Sequence, residues 1–161
     1  MNTKEKFFNV LLWINALPVT IFSIWVLILA SITKSVKFIR WHNFIAEFEV
    51  LENSFFHNKF FLKWAGMSLG VVNLYRFDYK DSEKTIKHER RHSEQIMKLG
   101  IFQPILYFGF VLVCYFMFKD RHPYYDNPFE LDARYSANQK IDVNWRSKVD
   151  EKGNVDRWIW W

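Results

Sequence analysis

The sequence predicts an α+β protein in which an N-terminal apolar helix is followed by a compact domain with a small β-sheet and two further helices. Three observations lead to this prediction. A long uncharged segment lies near the N-terminus, β-favouring residues follow it, and helix-start signals occur twice in the second half of the chain. With 161 residues, the chain is long enough for one domain of ordinary size.

The composition excludes several classes of protein. Half of the residues are apolar and 20% are aromatic, which rules out a disordered chain. The single cysteine, Cys114, excludes an internal disulfide framework. The net charge of +5 comes from 22 cations interleaved with 17 anions, and the sequence has no recognition helix or zinc-finger spacing. We therefore expect no nucleic acid partner.

The uncharged segment from residue 7 to residue 33 predicts a membrane helix. About 20 apolar residues suffice to cross the hydrocarbon of a bilayer, and this segment is longer. It also exceeds the apolar core of a usual signal peptide, and residues 28–30 form a poor cleavage site. We therefore expect an uncleaved anchor over residues 1–33 and a domain over residues 34–161. A buried core helix is the alternative.

Basic residues beside this segment favour a cytoplasmic domain. Lys34, Lys37 and Arg40 follow the segment, whereas Lys4 and Lys6 precede it. By the positive-inside rule, this excess on the C-terminal side predicts a domain that is attached to the lipid membrane on its cytoplasmic face.

Two segments after the anchor have the patterns of β-strands. Residues 44–50 alternate glutamate with apolar residues, as a half-buried strand does. Residues 65–77 are rich in β-favouring residues and contain glycines suited to a turn or a bulge. Residues 143–161 predict a terminal hairpin that ends in tryptophans suited to the core or to the lipid interface.

Capping signals predict two helices. Residues 81–83 offer an N-cap with acidic residues in the first turn, and Gly100 is placed to end this helix after about Leu99. A second helix is predicted to start after Asn127, because the next residue is proline, which is favoured at the first helical position.

The first of these helices contains an H-E-x-x-H motif over residues 88–92. Histidines four residues apart lie on one helical face, so the imidazoles of His88 and His92 can reach one Zn²⁺. Glu89, beside the first histidine, can take a proton from a metal-bound water. The alternative is a charged surface helix with two incidental histidines.

The same helix has one face that we expect to be buried, and it consists of His88, Glu89, His92, Gln95, Ile96 and Leu99. The opposite side is charged and carries Lys84, Lys87, Arg90, Arg91, Glu94 and Lys98. Buried histidines and a buried glutamate need partners, and a metal ion would be one. Gln95 is expected either to orient a metal ligand or to lie on the helix surface.

A third metal ligand is expected on the second helix. Glu130 is followed by Ala133 and Ala137 on the same side, and these small residues would let the two helices approach closely. The competing prediction is a capping box, because Glu130 is the third helical residue after Asn127. Spacing alone leaves the two alternatives open.

In this region the chain resembles a family of small, largely uncharacterised bacterial and phage proteins with a gluzincin-type zinc peptidase signature. Four segments carry the resemblance in order: residues 66–70 (G-M-S-L-G), 88–95 (H-E-x-x-H-x-x-Q), 100–107 (G-x-x-x-P-x-x-Y) and 124–133 (Y-x-D-N-P-F-E-x-x-A). The match covers about residues 65–138. Arg90 and Arg91 stand where many members have an apolar or aromatic residue.

The resemblance implies a mini-gluzincin-like domain in which the small sheet packs on two metal-ligand helices. Zn²⁺ would be held by His88, His92 and Glu130, Glu89 would be the general base, and the substrate would be a peptide or protein. Tyr124 is a further candidate, because a phenol can donate a hydrogen bond to the oxyanion of a tetrahedral intermediate. Packing of Tyr124 beside the preceding proline is the alternative.

A second apolar run covers residues 99–118. If it crossed the membrane once, His92 and Glu130 would lie on opposite sides and could not share a metal ion. A return through lipid would bury the charged residues at 119–122, which is too costly. We therefore expect a core helix or a helix resting against the bilayer surface.

Two alternatives to a membrane-anchored zinc peptidase stay open. In the first, the chain is a non-enzymatic two-span membrane protein that acts as an interaction or envelope-modifying factor, and its two histidines are incidental. In the second, the chain is a pseudoenzyme that binds zinc for stability only.

Overall fold

The computed structural model describes residues 3–117 and 121–139, with side chains from residue 10 onward. The helices in these ranges are α1 (Thr3–Ile32), α2 (Glu83–Leu99), α3 (Phe102–Phe116) and α4 (Pro128–Ser136). The strands are β1 (Val36–His42), β2 (Ile45–Val50), β3 (Gly66–Leu69) and β4 (Val72–Arg76), and a π-helical segment, His57–Phe61, lies between β2 and β3. This architecture confirms the predicted α+β class. The hairpin predicted over residues 143–161 lies outside the described residues.

The strands form one mixed sheet in the order β1-β2-β4-β3. β1 and β2 are antiparallel, β2 and β4 are parallel, and β3 and β4 form an antiparallel hairpin. Gly70 turns this hairpin with a φ of 66°, a left-handed conformation that favours glycine. The strands predicted near residues 44–50 and 65–77 are confirmed, whereas β1 is an additional strand that the sequence analysis does not predict.

One face of the sheet packs against α1. Val50 of β2 and Val72 and Leu74 of β4 form a buried apolar cluster with Ala30 of α1. Removing such apolar side chains from water is the main driving force that holds α1 on the sheet. Helix α1 is therefore part of the packed core as well as the apolar N-terminal segment.

The other face of the sheet is buried too, and it carries polar residues that contact α2. Asn73 of β4 accepts a hydrogen bond of 2.8 Å from the hydroxyl of Ser93. Glu47 of β2 is 0% exposed and pairs with Arg90 of α2. The alternating pattern of β2 predicts the strand correctly, but Glu47 lies on a second buried face and not in solvent.

The remaining surface of α1 is apolar and open. A narrow stripe that includes Ala16, Thr20, Ser23 and Ala30 is buried, while large apolar side chains around it are exposed, among them Ile21, Phe22, Trp25, Leu29 and Ile32. The segment Val10–Ile32 is long and apolar enough to cross a membrane. The division at residue 33 into an anchor and a separate domain stays a prediction.

Both predicted helix starts are confirmed. The Ser82 hydroxyl accepts a hydrogen bond from the backbone N–H of Thr85 at the start of α2, and Gly100 ends that helix with a φ of 58°. The Asn127 side chain accepts a hydrogen bond from the backbone N–H of Phe129 at the start of α4.

The second apolar run forms α3, which has 15 residues. A helix of this length rises about 22 Å, whereas the hydrocarbon of a bilayer is about 30 Å thick. Only when α2 and α3 are taken together do they include a stretch that is long and apolar enough to cross a membrane, and the two helices are bent by 110° at the break between them.

Helix α4 packs mainly on α2. The expectation that the sheet packs on both candidate ligand helices is therefore correct for α2 and wrong for α4. The predicted inward face of α2 is confirmed for His88, Glu89, His92, Gln95 and Ile96, which are all buried. Leu99 is predicted on this face as well, but it is 37% exposed.

Candidate metal centre

The three predicted metal ligands meet between α2 and α4. Nε2 of His88 lies 3.1 Å from Nε2 of His92, one turn further along α2. The same atoms lie 3.3 Å from Oε2 and 3.4 Å from Oε1 of Glu130, respectively, in the first turn of α4. All three residues are buried. We call this group the metal centre.

The geometry of the metal centre fits a tetrahedral ion. Two ligand atoms about 2.1 Å from such an ion lie about 3.4 Å apart, and the three distances here are 3.1, 3.3 and 3.4 Å. Oε2 of Glu130 is buried and has no hydrogen-bond partner among the described residues. Because an unpaired buried oxygen is costly, a cation at this point would stabilise the cluster. The group could thus hold a metal ion.

The charges of the cluster depend on each other. Burial disfavours the charged imidazolium, but hydrogen bonding and the charge of Glu130 outweigh burial and raise the pKa of His92 to about 9. Burial likewise disfavours the carboxylate, yet the adjacent side chains of His88 and His92 lower the pKa of Glu130 well below its ordinary value. Because metal ligation requires neutral imidazoles, a metal ion would displace a proton from this cluster.

Glu130 does not close a capping box. The backbone N–H of Asn127, which a capping box would engage, donates to the carbonyl oxygen of Tyr124 at 3.1 Å. The Glu130 carboxylate accepts a hydrogen bond of 2.9 Å from the hydroxyl of Tyr107 in α3. Ala133 is 0% exposed, as expected for a close approach of two helices. The geometry therefore favours Glu130 as a candidate metal ligand over Glu130 as a capping-box residue.

Gln95 joins the ligand His92 to α4. Its Oε1 lies 2.9 Å from Nδ1 of His92, which leaves Nε2 of the ring directed at the metal centre. The Gln95 amide donates to Asp132 at 2.7 Å and to the carbonyl oxygen of Phe129 at 3.0 Å. Arg91 extends this hydrogen-bond network with two hydrogen bonds of 2.7 and 2.9 Å to Asp132. Gln95 is therefore buried and fixes the orientation of the His92 ring. Arg91, which is predicted on the solvated side of α2, pairs with Asp132 instead.

Glu89 lies on the buried side of α2, against β3. A Cβ atom added at Gly66 would come within 2.7 Å of Cγ and 2.8 Å of Oε1 of Glu89, so the carboxylate packs on the backbone of this strand. Burial raises the pKa of Glu89 although His88 and His92 act in the opposite direction. A carboxylate with a raised pKa is suited to proton transfer near neutral pH.

Tyr124 lies close enough to the metal centre for the charge of Glu130 to affect its phenol. Its ring centroid is 5.0 Å from the guanidinium carbon of Arg134, a cation–π distance. Burial, followed by the charge of Glu130, raises the pKa of Tyr124, so the phenol stays protonated as a hydrogen-bond donor must. The role of Tyr124 as an oxyanion donor stays a prediction.

A second buried carboxylate lies on the opposite side of α2. Glu47 accepts hydrogen bonds of 2.6 Å from Nε of Arg40, 2.6 Å from Nε of Arg90 and 3.1 Å from the hydroxyl of Tyr75. Burial would raise the pKa of Glu47, but the hydrogen bonds from Arg90 and Arg40 lower it. We call these four residues the Glu47 cluster.

Three residues around the metal centre have no role there that is predicted from sequence: Arg91, Asp132 and Tyr107. Arg91 and Gln95 lie one helical turn apart, so the sequence indicates that they could bind the same side chain. That this side chain is Asp132 becomes clear only from the packing of α4 on α2. The hydrogen bond from Tyr107 depends on the direction in which α3 leaves α2, and this direction has no sequence signal.

Comparisons of this chain with known protein families, with curated proteins and with solved structures find no match. The resemblance to small gluzincin-type proteins therefore stays an expectation. Fold and site together define an α+β chain with an apolar N-terminal helix and a buried His-His-Glu group that could hold a metal ion.

Proposed function

We propose that this chain is a membrane-anchored, zinc-dependent metallohydrolase that cleaves peptide bonds. The observation that carries the proposal is the convergence of His88, His92 and Glu130 at distances of 3.1 to 3.4 Å in a buried position. The neighbouring Glu89 supplies an acid–base group on the same helix. The choice of a peptide as substrate follows the resemblance to gluzincin-type peptidases.

The donor set favours zinc. Two imidazole nitrogens and one carboxylate oxygen form a frequent protein ligand set of catalytic Zn²⁺, which keeps a fourth position for water or substrate. A Zn²⁺ ion held by these three side chains would supply Lewis-acid activation of a carbonyl group and of a bound water molecule. Gln95 and Tyr107 hold His92 and Glu130 in place through hydrogen bonds.

Glu89 is the proposed general base. It would take a proton from the attacking water and pass it to the leaving amine. Its position beside His88 on the buried side of α2 places an acid–base group next to the candidate ligands. The backbone of Gly66 holds the carboxylate from the side of β3.

Strand β3 is the proposed peptide-binding element. It lies at one end of the strand order, so its outer row of backbone groups pairs with no other strand in the described ranges. An extended peptide can add to such an edge as a further strand. Because Gly66 of β3 contacts Glu89, a peptide on this edge would run past the metal centre.

Helix α1 is the proposed membrane anchor. It is long and apolar enough to cross a bilayer, and most of its large apolar side chains are exposed. The basic residues that follow it favour a cytoplasmic position for the metal centre.

The test compares the cleavage of a fluorogenic peptide library by the purified full-length protein and its Glu89→Gln variant, both loaded with zinc. Loss of the general base lowers the rate by about 10²- to 10⁴-fold, while the zinc content stays unchanged. Equal rates in the two proteins would contradict the role of Glu89. If the zinc-loaded wild type cleaves no peptide, the proposed peptidase activity is contradicted, and the pseudoenzyme that binds zinc for stability becomes the favoured hypothesis.

A matched pair of glycine variants sharpens this test. In Gly66→Ala the new Cβ atom collides with the Glu89 side chain, which must move, whereas in Gly109→Ala the new atom meets nothing within 4 Å. A displacement of about 1 Å can cost about 10²-fold in rate. We expect this loss in Gly66→Ala only, with zinc retained by both variants. Equal activity of the two would contradict the positioning of Glu89 by β3.

A further inference from the structure

Helix α3 has two sides of opposite character. One side faces the interior through Gln103, Tyr107, Val111 and Cys114. The opposite side, which we call the outer stripe, consists of Ile105, Phe108, Leu112 and Phe116. These four side chains are between 56% and 72% exposed, and the sequence has no charged residue from 99 to 118. A helix face in water is normally polar, so a contiguous apolar stripe marks an interaction surface.

The apolar surface of α3 continues into α1. A Cβ atom at Gly100 would lie 2.6 Å from Oδ1 of Asn15, so the junction of α2 and α3 packs directly on α1. The Asn15 amide donates to the carbonyl oxygens of Met97 and Lys98 at 3.1 and 2.9 Å. Exposed apolar side chains flank this junction on both helices, namely Leu11 and Ile14 on α1 and Ile101 and Phe102 at the start of α3.

We propose that the outer stripe of α3 docks in a lipid bilayer together with the exposed side of α1. The metal centre then acts on polypeptide segments that lie in or at the membrane, a substrate class that rests on the proposed function. Lipid is the occupant because the apolar surface of α3 is continuous with the exposed apolar side of Val10–Ile32, a segment with the composition of a membrane helix.

The inner side of α3 brings the metal centre close to this surface. The Tyr107 hydroxyl donates to Oε1 of Glu130 at 2.9 Å. The outer stripe lies on the opposite side of the same helix, and a helix with its side chains is about 10 Å wide. Glu130 therefore lies about one helix width from the proposed lipid surface.

The length and flanks of α3 favour an orientation along the bilayer surface. Its 15 residues are too few to cross the hydrocarbon. The exposed Lys98 lies just before α3, where its long side chain can reach the lipid headgroups. Exposed charges on α2, among them Lys87 and Glu94, stay in water.

Spin labelling of the full chain in phosphatidylcholine vesicles tests the docking. Ile105→Cys and Leu112→Cys carry a nitroxide on the outer stripe, and Lys87→Cys carries it on the charged side of α2. All three are made in a Cys114→Ala background, whose zinc content and circular dichroism check the fold. We expect oxygen, which partitions into lipid, to enhance the relaxation of the nitroxides at 105 and 112, and a water-soluble nickel complex to have little effect on them. For the nitroxide at 87 we expect strong relaxation by the nickel complex and weak relaxation by oxygen.

Two results overturn the docking. Equal access of the nickel complex at all three positions places the outer stripe in water. Strong spin–spin broadening at 105 and 112 shows that a second copy of the chain covers the stripe.

The substrate class is tested with one cleavable peptide, supplied to the same vesicles either free or with an N-terminal palmitoyl chain. Anchoring to the bilayer raises the effective concentration, and we expect at least about tenfold faster cleavage of the palmitoylated form. Leu112→Glu disturbs the docked helix and lowers this preference, whereas Lys87→Glu, a charge change at an exposed position of α2, leaves it unchanged. An unaltered preference in Leu112→Glu overturns the role of α3.

The zinc content of the same samples separates this inference from the proposed function. Zinc bound to a chain whose outer stripe lies in water overturns the docking and leaves the metallohydrolase intact. A stripe in lipid on a chain that binds no zinc overturns the proposed function, and with it the substrate class, but supports the docking.

Discussion

Helix α2 carries a buried carboxylate cluster on each of two sides, and the two clusters are completed differently. In the Glu47 cluster both carboxylate oxygens accept hydrogen bonds from arginine side chains, and Tyr75 adds a further donor. In the metal centre the carboxylate of Glu130 faces two imidazoles, and its Oε2 has no hydrogen-bond partner among the described residues. The first cluster is satisfied by the chain, and the second directs three side chains at one point.

This difference separates a structural carboxylate from a candidate metal ligand. The pKa of Glu47 and the pKa of Glu130 are both lowered by neighbours that outweigh burial, so charge alone does not distinguish them. The donors do. Arginine is permanently charged and offers several N–H groups, so it completes an ion pair, whereas a neutral histidine still has a lone pair that a metal ion can use.

The largest expected effect comes from Glu47→Gln, which removes the charge that Arg40 and Arg90 share. Breaking a buried ion pair leaves unmatched charges, and we expect a loss of about 3 kcal/mol in the free energy of unfolding. Equilibrium unfolding in detergent micelles measures this loss, and the zinc content stays that of the wild type. A variant that unfolds like the wild type but has lost its zinc would reverse the roles of the two clusters.

A smaller effect is expected from Gln95→Leu, which removes the acceptor for Nδ1 of His92. Loss of such an orienting partner typically lowers metal affinity by about 10- to 100-fold. Competition with a fluorescent chelator measures the affinity for zinc. Glu94→Gln is the control on the adjacent, exposed position, and it keeps the affinity of the wild type. Equal affinity in both variants would mean that Gln95 only packs between the helices.

The smallest effect is a pH dependence of the Glu47 cluster. Because the pKa of Glu47 is lowered in the folded state, its contribution to stability is fully present above the ordinary value of 4.5 and is lost as the pH falls through the lowered value. The difference in unfolding free energy between wild type and Glu47→Gln should therefore shrink below pH 4.5. A difference that stays constant between pH 7 and pH 3 would show that the charge of Glu47 contributes nothing.

Local signals in the sequence predicted much of the fold and the candidate site. The caps Ser82, Gly100 and Asn127 set the ends of α2 and α4 through hydrogen bonds that depend on a few neighbouring residues. The spacing of His88 and His92 follows from the helical repeat, and the structure brings both residues to Glu130.

The parts that the sequence did not predict depend on contacts between distant elements. The alternating pattern of β2 identifies a strand, but whether Glu47 meets water or arginine depends on α2 covering the second face of the sheet. The choice between capping box and ligand for Glu130 needed the positions of α2 and α3, since local spacing fits both. Helix α1 has the composition of a membrane helix, and the sequence does not show that Ala30 also packs on the sheet.

The central claim is that the metal centre holds zinc, and the metal content of the purified full-length protein tests it most directly. Inductively coupled plasma mass spectrometry is applied to the wild type, to His88→Ala and Glu130→Gln, and to Glu47→Gln as the matched carboxylate control. The account predicts about one zinc ion per chain in the wild type and in Glu47→Gln, and almost none in the other two. A folded wild type without zinc, or Glu130→Gln with as much zinc as the wild type, would contradict it.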